Sequence, residues 1–453
     1  MQKTHTIDMC SGSVFKKMMQ FAVPLMLSGI FQLLFNAADV MVVGKFAGED
    51  SLAAVGSTTA LINLLTNLFV GLSIGANVMA ARYFGASAHR ELKETVHTAM
   101  TVSVICGLIL TVLGVIGAPV ILQWMQTPSD VLGLATIYLR TYFAGMTATM
   151  VYNFAAAILR AVGDTKRPLW FLTVSGAVNV SLNLLFVIVF DWDVFGVGLA
   201  TVISQVLSAV CVVVCLLREK SAIRLEWKHL GICKDKLFKI LQVGLPAGIQ
   251  GSLFSIANVV IQSAVNSFDD TVIVAGNSAA ANLEGFIFMG MNAFHQAAIS
   301  FTGQNVGAGR YDRINRIVRT ALLCVLVTGA VLGCILLLFG EPLLGLYTDD
   351  PLVVQKGIQR LRVMTVSFAL AGMMDVMVGC LRGLGYSIMP MIVSLIGVCA
   401  LRLVWIFTVF PMPLFHSIEM LYITYPISWL VTLIAHTICF IAVRKRLKKR
   451  WGQ

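Results

Sequence analysis

Charge is what this sequence has least of. Only 12% of its 453 residues are Asp, Glu, Lys or Arg, against 58% hydrophobic, whereas soluble domains carry about 25% charged residues. So sparse a set cannot coat a water-soluble globule of this length, and a count of roughly three soluble domains from length alone is overruled. Enzyme signatures are also missing, with no P-loop, no HExxH, no GxSxG and no HxE with CxxC. An intramembrane enzyme stays as the alternative of another class, but it would need a nucleophile or metal constellation that the sequence lacks. The ten cysteines form no CxxC. Cys106, Cys211, Cys324 and Cys380 fall inside apolar runs and read as small buried side chains, not as a disulfide or metal framework. A formal net charge of +11 suits nucleic acid, but the basic residues sit in short connectors and a tail and not on an amphipathic face, a placement that signals topology and excludes a nucleic-acid surface.

Long apolar runs are what the chain does have, and a helix needs about 20 such residues to cross a bilayer. Breaking the sequence at charged or Gly/Pro connectors predicts spans over 16–44, 52–81, 95–123, 131–159, 168–190 and 194–217. A second set covers 238–268, 272–303, 317–346, 352–381, 388–410 and 418–443. The first run is too long, and with Gln32, Asn36 and Asp39 too polar, for a cleavable signal. Twelve crossings put both termini on one side. Of the 33 Lys and Arg, 27 fall there, from Lys3, Lys16 and Lys17 through the Arg218–Lys239 connector to the Arg444–Arg450 tail. The positive-inside rule makes that side cytoplasmic, and the cell membrane, inner or plasma, the expected location.

The two sets repeat each other at one offset of 222 residues. Pro24 recurs as Pro246, Asn36 as Asn258, Gly85-Ala86 as Gly307-Ala308, and Leu139-Arg140 as Leu361-Arg362. The clearest pair is Leu159-Arg160-x-x-Gly163-x-x-x-x-Pro168 against Leu381-Arg382-x-x-Gly385-x-x-x-x-Pro390. Six helices is an even number, so the second half re-enters in the same orientation, giving parallel repeats about an axis along the membrane normal. The expected organisation is an all-α membrane protein with a six-helix lobe over 1–217, a cytoplasmic linker over 218–237, and a second six-helix lobe with a basic tail over 238–453. Transporters built from repeats bind small-molecule cargo between them. We expect a monomer.

Acids inside apolar spans are functional hypotheses by default, because burying a carboxylate costs at least a few kcal/mol. Gln32, Asn36 and Asp39 fall at i, i+4 and i+7 on one face of the first span. At about 1.5 Å per residue Asp39 lies roughly 22 Å beyond Pro24, in the outer half of the membrane. Asn179 and Asn183 share a face of the fifth span, and Thr201 sits in the sixth. Carboxylate, amide and hydroxyl oxygens together form a hard-oxygen set suited to Na⁺ or a proton, although Asn and Thr also serve as hydrogen-bonding glue between membrane helices. Their repeat partners are Phe254 for Gln32, Asn258 for Asn36, Ile261 for Asp39, Leu401 for Asn179 and Trp405 for Asn183. That one-sidedness favours a function lodged in the first half, with Asp39, Asn36, Asn179, Asn183 and Thr201 as the ion-coupling set. Cargo is expected to meet Gln32, Asn258, Glu284, Met374 and Asp375. Asp375 lies beside Met373, Met374 and Met377, whose flexible thioethers repack around varied ligands. Glu284 and Arg402, roughly 18 and 12 Å from the outer surface, are expected to neutralise each other. Glu419 begins the last span, and His295 is expected to be a packed imidazole. No cofactor is expected beyond the coupling ion.

With these residues in place the chain resembles the multidrug and toxic compound extrusion (MATE) family, nearest its DinF-like bacterial branch. The resemblance rests on Pro24 with Gln32, Asn36, Asp39 and Val43-Gly44, then Leu52-Ala53-Ala54-Val55-Gly56 and Leu159-Arg160-Ala161-Val162-Gly163-Asp164. It continues through Gly303-Gln304-Asn305-Val306-Gly307-Ala308-Gly309 and Leu381-Arg382-Gly383-Leu384-Gly385. It implies a twelve-helix V-shaped fold that exchanges cytoplasmic drugs, often cationic and amphipathic, for external H⁺ or Na⁺. It also implies an ion site at Asp39, Asn179, Asn183 and Thr201. Where this chain has Asn183 the family's familiar residue is Asp, so one charge is missing and the coupling ion stays open. A lipid-linked sugar flippase of the same superfamily is the alternative within transport, but those usually have about fourteen helices and a basic central cavity.

Overall fold

The computed structural model describes residues 6–125 and 127–451. Lys3 and the Arg450 side chain, both counted among the cytoplasmic charges, lie outside what is described. Among the described residues all regular structure is helical, as the bilayer demands: with no water in its core, each backbone polar group must find its partner within the span.

The principal helices begin with α1 (Val14–Ala47), α2 (Asp50–Gly85), α3 (His89–Trp124), and the shorter α4 (Ser129–Ala144) and α5 (Met146–Ala161). They continue as α6 (Lys166–Val189), α7 (Asp193–Arg218), α8 (Lys234–Asn266) and α9 (Thr271–Gly307). The last four are α10 (Tyr311–Leu338), α11 (Pro351–Gly383), α12 (Ile388–Val409) and α13 (Ile418–Lys449). Eleven are long and apolar enough to cross a membrane alone, and α4 with α5 makes a twelfth span bent by 45°. The bend sits at Gly145, whose N–H bonds Tyr142 O, three residues back, at 3.1 Å. A Cβ at Gly145 would fall 2.8 Å from Val202 Cγ2 on α7. The missing side chain thus admits α7 and loosens the helix at the same point.

The repeated Leu-Arg-x-x-Gly motif is a helix stop. Gly163 N–H bonds Arg160 O at 3.0 Å and Asp164 N–H bonds Leu159 O at 2.9 Å; Gly385 and Tyr386 repeat this on Arg382 and Leu381 at 2.8 and 2.9 Å. Both glycines have φ +90°, the left-handed conformation that closes a helix C-terminus and that a Cβ disfavours. Starts are fixed as clearly. Asp270 caps α9 by accepting from Val272 N–H at 2.8 Å, and Asp350 caps α11 by accepting from Leu352 N–H at 2.9 Å, with Pro351 opening the first turn.

The chain divides into two compact units. One comprises Leu27–Ser252 and the short stretch ending at Asp8; the other comprises Met9–Met26 and Leu253–Gln453. Residues 218–237 fall in the first unit, where they are tied to α3. Lys93 Nζ donates to Glu226 Oε2 at 2.9 Å, Glu226 N–H donates to His97 Nε2 at 3.0 Å, and Cys233 N–H donates to Thr98 Oγ1 at 3.1 Å. The hydrogen bond from Lys93 holds the Glu226 carboxyl below its ordinary value.

Candidate functional site

In the first unit three helices bring polar side chains to one point. On α6 the i, i+4 spacing puts Asn179 and Asn183 on one face, and both are buried. Asn183 Nδ2 donates to Asp39 Oδ1 on α1. The Asn179 amide nitrogen faces the same carboxylate, 2.8 and 3.2 Å from its two oxygens, since an oxygen in that place would meet only oxygens. The other end of that amide lies 3.4 Å from Thr201 Oγ1 on α7, whose own proton goes to Val197 O at 3.0 Å. Two amide donors on one carboxylate are what makes an acid tolerable in an apolar span. Asn183 Oδ1 is left with no partner although the side chain is wholly buried. Tyr138 and Tyr142 are within electrostatic reach of Asp39, and Gln205 lies beside Tyr142. The sequence reasoning missed these three, whose only signal is that aromatic and amide side chains interrupt apolar runs. Gln32 and Asn36 are exposed on α1. The described hydrogen bonds of Asp39 do not include either.

The second unit holds a cavity of about 450 Å³. Asn258, Glu284, Met374 and Asp375 line it, together with Arg360 and Arg402. The expectation that Glu284 pairs with Arg402 is corrected here. Arg360 Nε and Nη2 donate to the two Glu284 oxygens at 2.8 and 2.7 Å, and Arg360 Nη1 donates to Asn277 Oδ1 at 2.6 Å. Tyr422 Oη also donates to Asn277 Oδ1, at 3.2 Å, and Asn277 Nδ2 donates to Gln262 Oε1 at 3.1 Å. A depth estimate along each helix cannot see which neighbour stands laterally opposite, and a two-pronged guanidinium on α11 fits both carboxylate oxygens at once. Arg402 instead donates through Nε to Ser428 Oγ at 2.8 Å and lies over the Tyr425 ring, 4.1 Å from its centroid. His295 is packed, its Nδ1 donating to the Asp375 carbonyl at 2.6 Å. Glu419 accepts from Gln359. Among the described residues no group of His, Cys, Asp and Glu has the makings of a metal centre.

Both halves match one family profile, MatE, over residues 24–185 and again over residues 246–408. The chain belongs to the MATE family. Curated MATE relatives include the probable multidrug resistance protein YoeA of Bacillus subtilis, 26% identical over 93% of this chain and 92% of that protein. Another is the probable multidrug resistance protein NorM of Thermotoga maritima, 24% identical over 86% and 84%. A MATE protein solved in complex with MaL6 superposes with a TM-score of 0.90 at 22% identity, covering 99% of this chain and 100% of that one. A MOP superfamily transporter from Pyrococcus furiosus gives 0.92 at 21%, with the same coverage. At these identities the superpositions establish the MATE fold, as do the matching spans.

Proposed function

We propose that this chain is a secondary active antiporter that exports drug-like, cationic amphipathic compounds in exchange for H⁺ or Na⁺. Relatives along nearly its whole length carry names of multidrug resistance and export proteins. The observation that carries the ion coupling is Asn183 Oδ1, a buried acceptor with nothing to accept from, one amide away from a carboxylate. Leaving such a group unsatisfied costs about 1–3 kcal/mol. A cation held beside Asp39 gives that oxygen its missing contact, and a carboxylate with amide and hydroxyl oxygens is a donor set that both a proton and Na⁺ accept. Coupling then requires that the ion favour one conformation over another, since a ligand with equal affinity for both shifts nothing.

The test is dye export from proteoliposomes under separately imposed proton and sodium gradients. One of the two gradients is expected to drive accumulation; export indifferent to both would end the antiport reading. A flippase for a lipid-linked pyrophosphate fits less well, because the cavity of the second unit is lined by as many acids as bases. We place both termini and the 218–237 linker in the cytoplasm of a cell-membrane protein. Modification of Lys228→Cys by an impermeant reagent added outside intact cells would overturn that topology.

A further inference from the structure

Four charged side chains line the cavity of the second unit: Glu284, Arg360, Asp375 and Arg402. Glu284 and Arg360 neutralise each other through two hydrogen bonds. The other two are left over, one of each sign. Among the described residues neither makes an ion pair, with the other or with anything else; Asp375 feels Arg382 only at longer range.

Arg402 is the sharper anomaly. Its side chain is 4% exposed, yet of its five N–H donors the structure occupies one, on Ser428. Nη2 is buried with no partner. The rings of Tyr425 and Trp429, with centroids 4.1 and 5.6 Å from the guanidinium carbon, hold its face and leave its edge free. A buried cation without a counter-charge is among the costliest arrangements a protein keeps, and here it borders an empty space large enough for a drug-sized molecule.

We propose that Arg402 is the receptor for a carboxylate on the transported molecule. The cavity therefore takes zwitterions, meaning amphipathic ring compounds with an acidic group at Arg402 and a cationic centre toward Asp375. A planar fork of N–H donors matches a carboxylate edge to edge. A purely cationic molecule in the same space would satisfy Asp375 and leave Arg402 unpaired. This assignment rests on the reading that the chain exports amphipathic compounds, and deepens it by naming their charge pattern.

The experiment uses a carboxy-rhodamine and its methyl ester, the same cationic ring system with and without the free acid. Their affinities for purified full-length protein in detergent are read by fluorescence anisotropy, and the quantity of interest is their ratio. Wild type is expected to bind the free acid about tenfold more tightly, as charge-assisted hydrogen bonds to a buried guanidinium warrant. Arg402→Gln should bring the ratio to about one, and Arg402→Lys should keep a few-fold preference for the acid. General damage lowers both affinities and leaves the ratio unchanged. A wild-type ratio near one, a preference for the ester, absence of binding by either dye, or a ratio unmoved in Arg402→Gln overturns the proposal. Should Arg402→Gln fail to fold, the wild-type and Arg402→Lys ratios still decide. The same dyes in proteoliposomes keep the two readings apart. Equal binding with gradient-driven export of both sinks Arg402 and spares the antiporter, while acid-selective binding without export does the reverse.

Discussion

In the first unit a membrane-embedded carboxylate is held by two amides; in the second it is held by a guanidinium. The charged and amide positions involved do not correspond to one another across the 222-residue repeat. Asp39 faces Ile261 in register, Asn183 faces Trp405, and Thr201 faces Ile423. In the other direction Glu284 faces Ile62, Arg402 faces Val180, and Arg360 faces Tyr138. What the repeats do share is scaffold: the helix stops at Gly163 and Gly385, and the prolines inside α1 and α8. The interior polar groups are therefore not needed to make the fold. Each unit has acquired its own, and each set is a separate object for experiment.

The largest expected effect is at Asp39. Asp39→Asn keeps the side chain's volume but removes its ionisable charge, so gradient-driven export should fall to background while drug affinity stays within about twofold. Measuring both in one preparation makes the distinction; near-normal export would return the amide cluster to a packing role. Next is Glu284→Gln, which strands the Arg360 charge in the interior and should lower unfolding stability by about 3 kcal/mol. Adding Arg360→Met to it should recover most of that loss. A single variant as stable as wild type in thermal unfolding would mean that the second unit's pair is no more structural than the first unit's cluster.

Asp375→Asn comes third. It should weaken binding of cationic cargo a few-fold and leave neutral cargo unchanged, and an equal loss for both would mark Asp375 as structural. The smallest effect belongs to the linker on the first unit. Glu226, partly exposed, has its carboxyl held below the ordinary value of 4.5 by Lys93. A depressed folded-state pKa contributes stability that is present above the unfolded value and is lost as pH falls through the folded one. Hydrogen exchange over residues 225–233 should therefore rise modestly below about pH 4.5. In Glu226→Gln that pH dependence should vanish, and its persistence would place the docking elsewhere.

How much of this the sequence disclosed depends on the distance over which the relevant physics acts. The twelve spans were legible because hydropathy and connector charge are local, and the amide face was legible because Asn179 and Asn183 are one turn apart. The bend at Gly145 was not, because an isolated glycine in an apolar run has no signature until Val202 is placed against it. Nor was the Glu284–Arg360 pair. Depth along a helix ranked Arg402 as the partner, and only packing shows that it turns to Ser428 and Tyr425 instead. The Tyr138, Tyr142 and Gln205 surroundings of Asp39 were hidden for the same reason.

Three of the spans, α1, α6 and α12, also contain wide π-helical turns, and these stand beside Asp39, Asn183 and Arg402. Val43–Ala47 follows Asp39, Leu185–Val189 follows Asn183, and Leu395–Ala400 and Trp405–Val409 bracket Arg402. Such a turn carries one residue more than an α-turn, with its hydrogen bonds passed one place further along the chain. Moving the surplus residue up or down by one position exchanges one set of backbone bonds for another. It also swings the side chain it passes by about 100° around the helix axis. A span built this way is a screw thread with a loose pitch, able to turn a polar side chain toward a different neighbour while every end of the helix stays where it is.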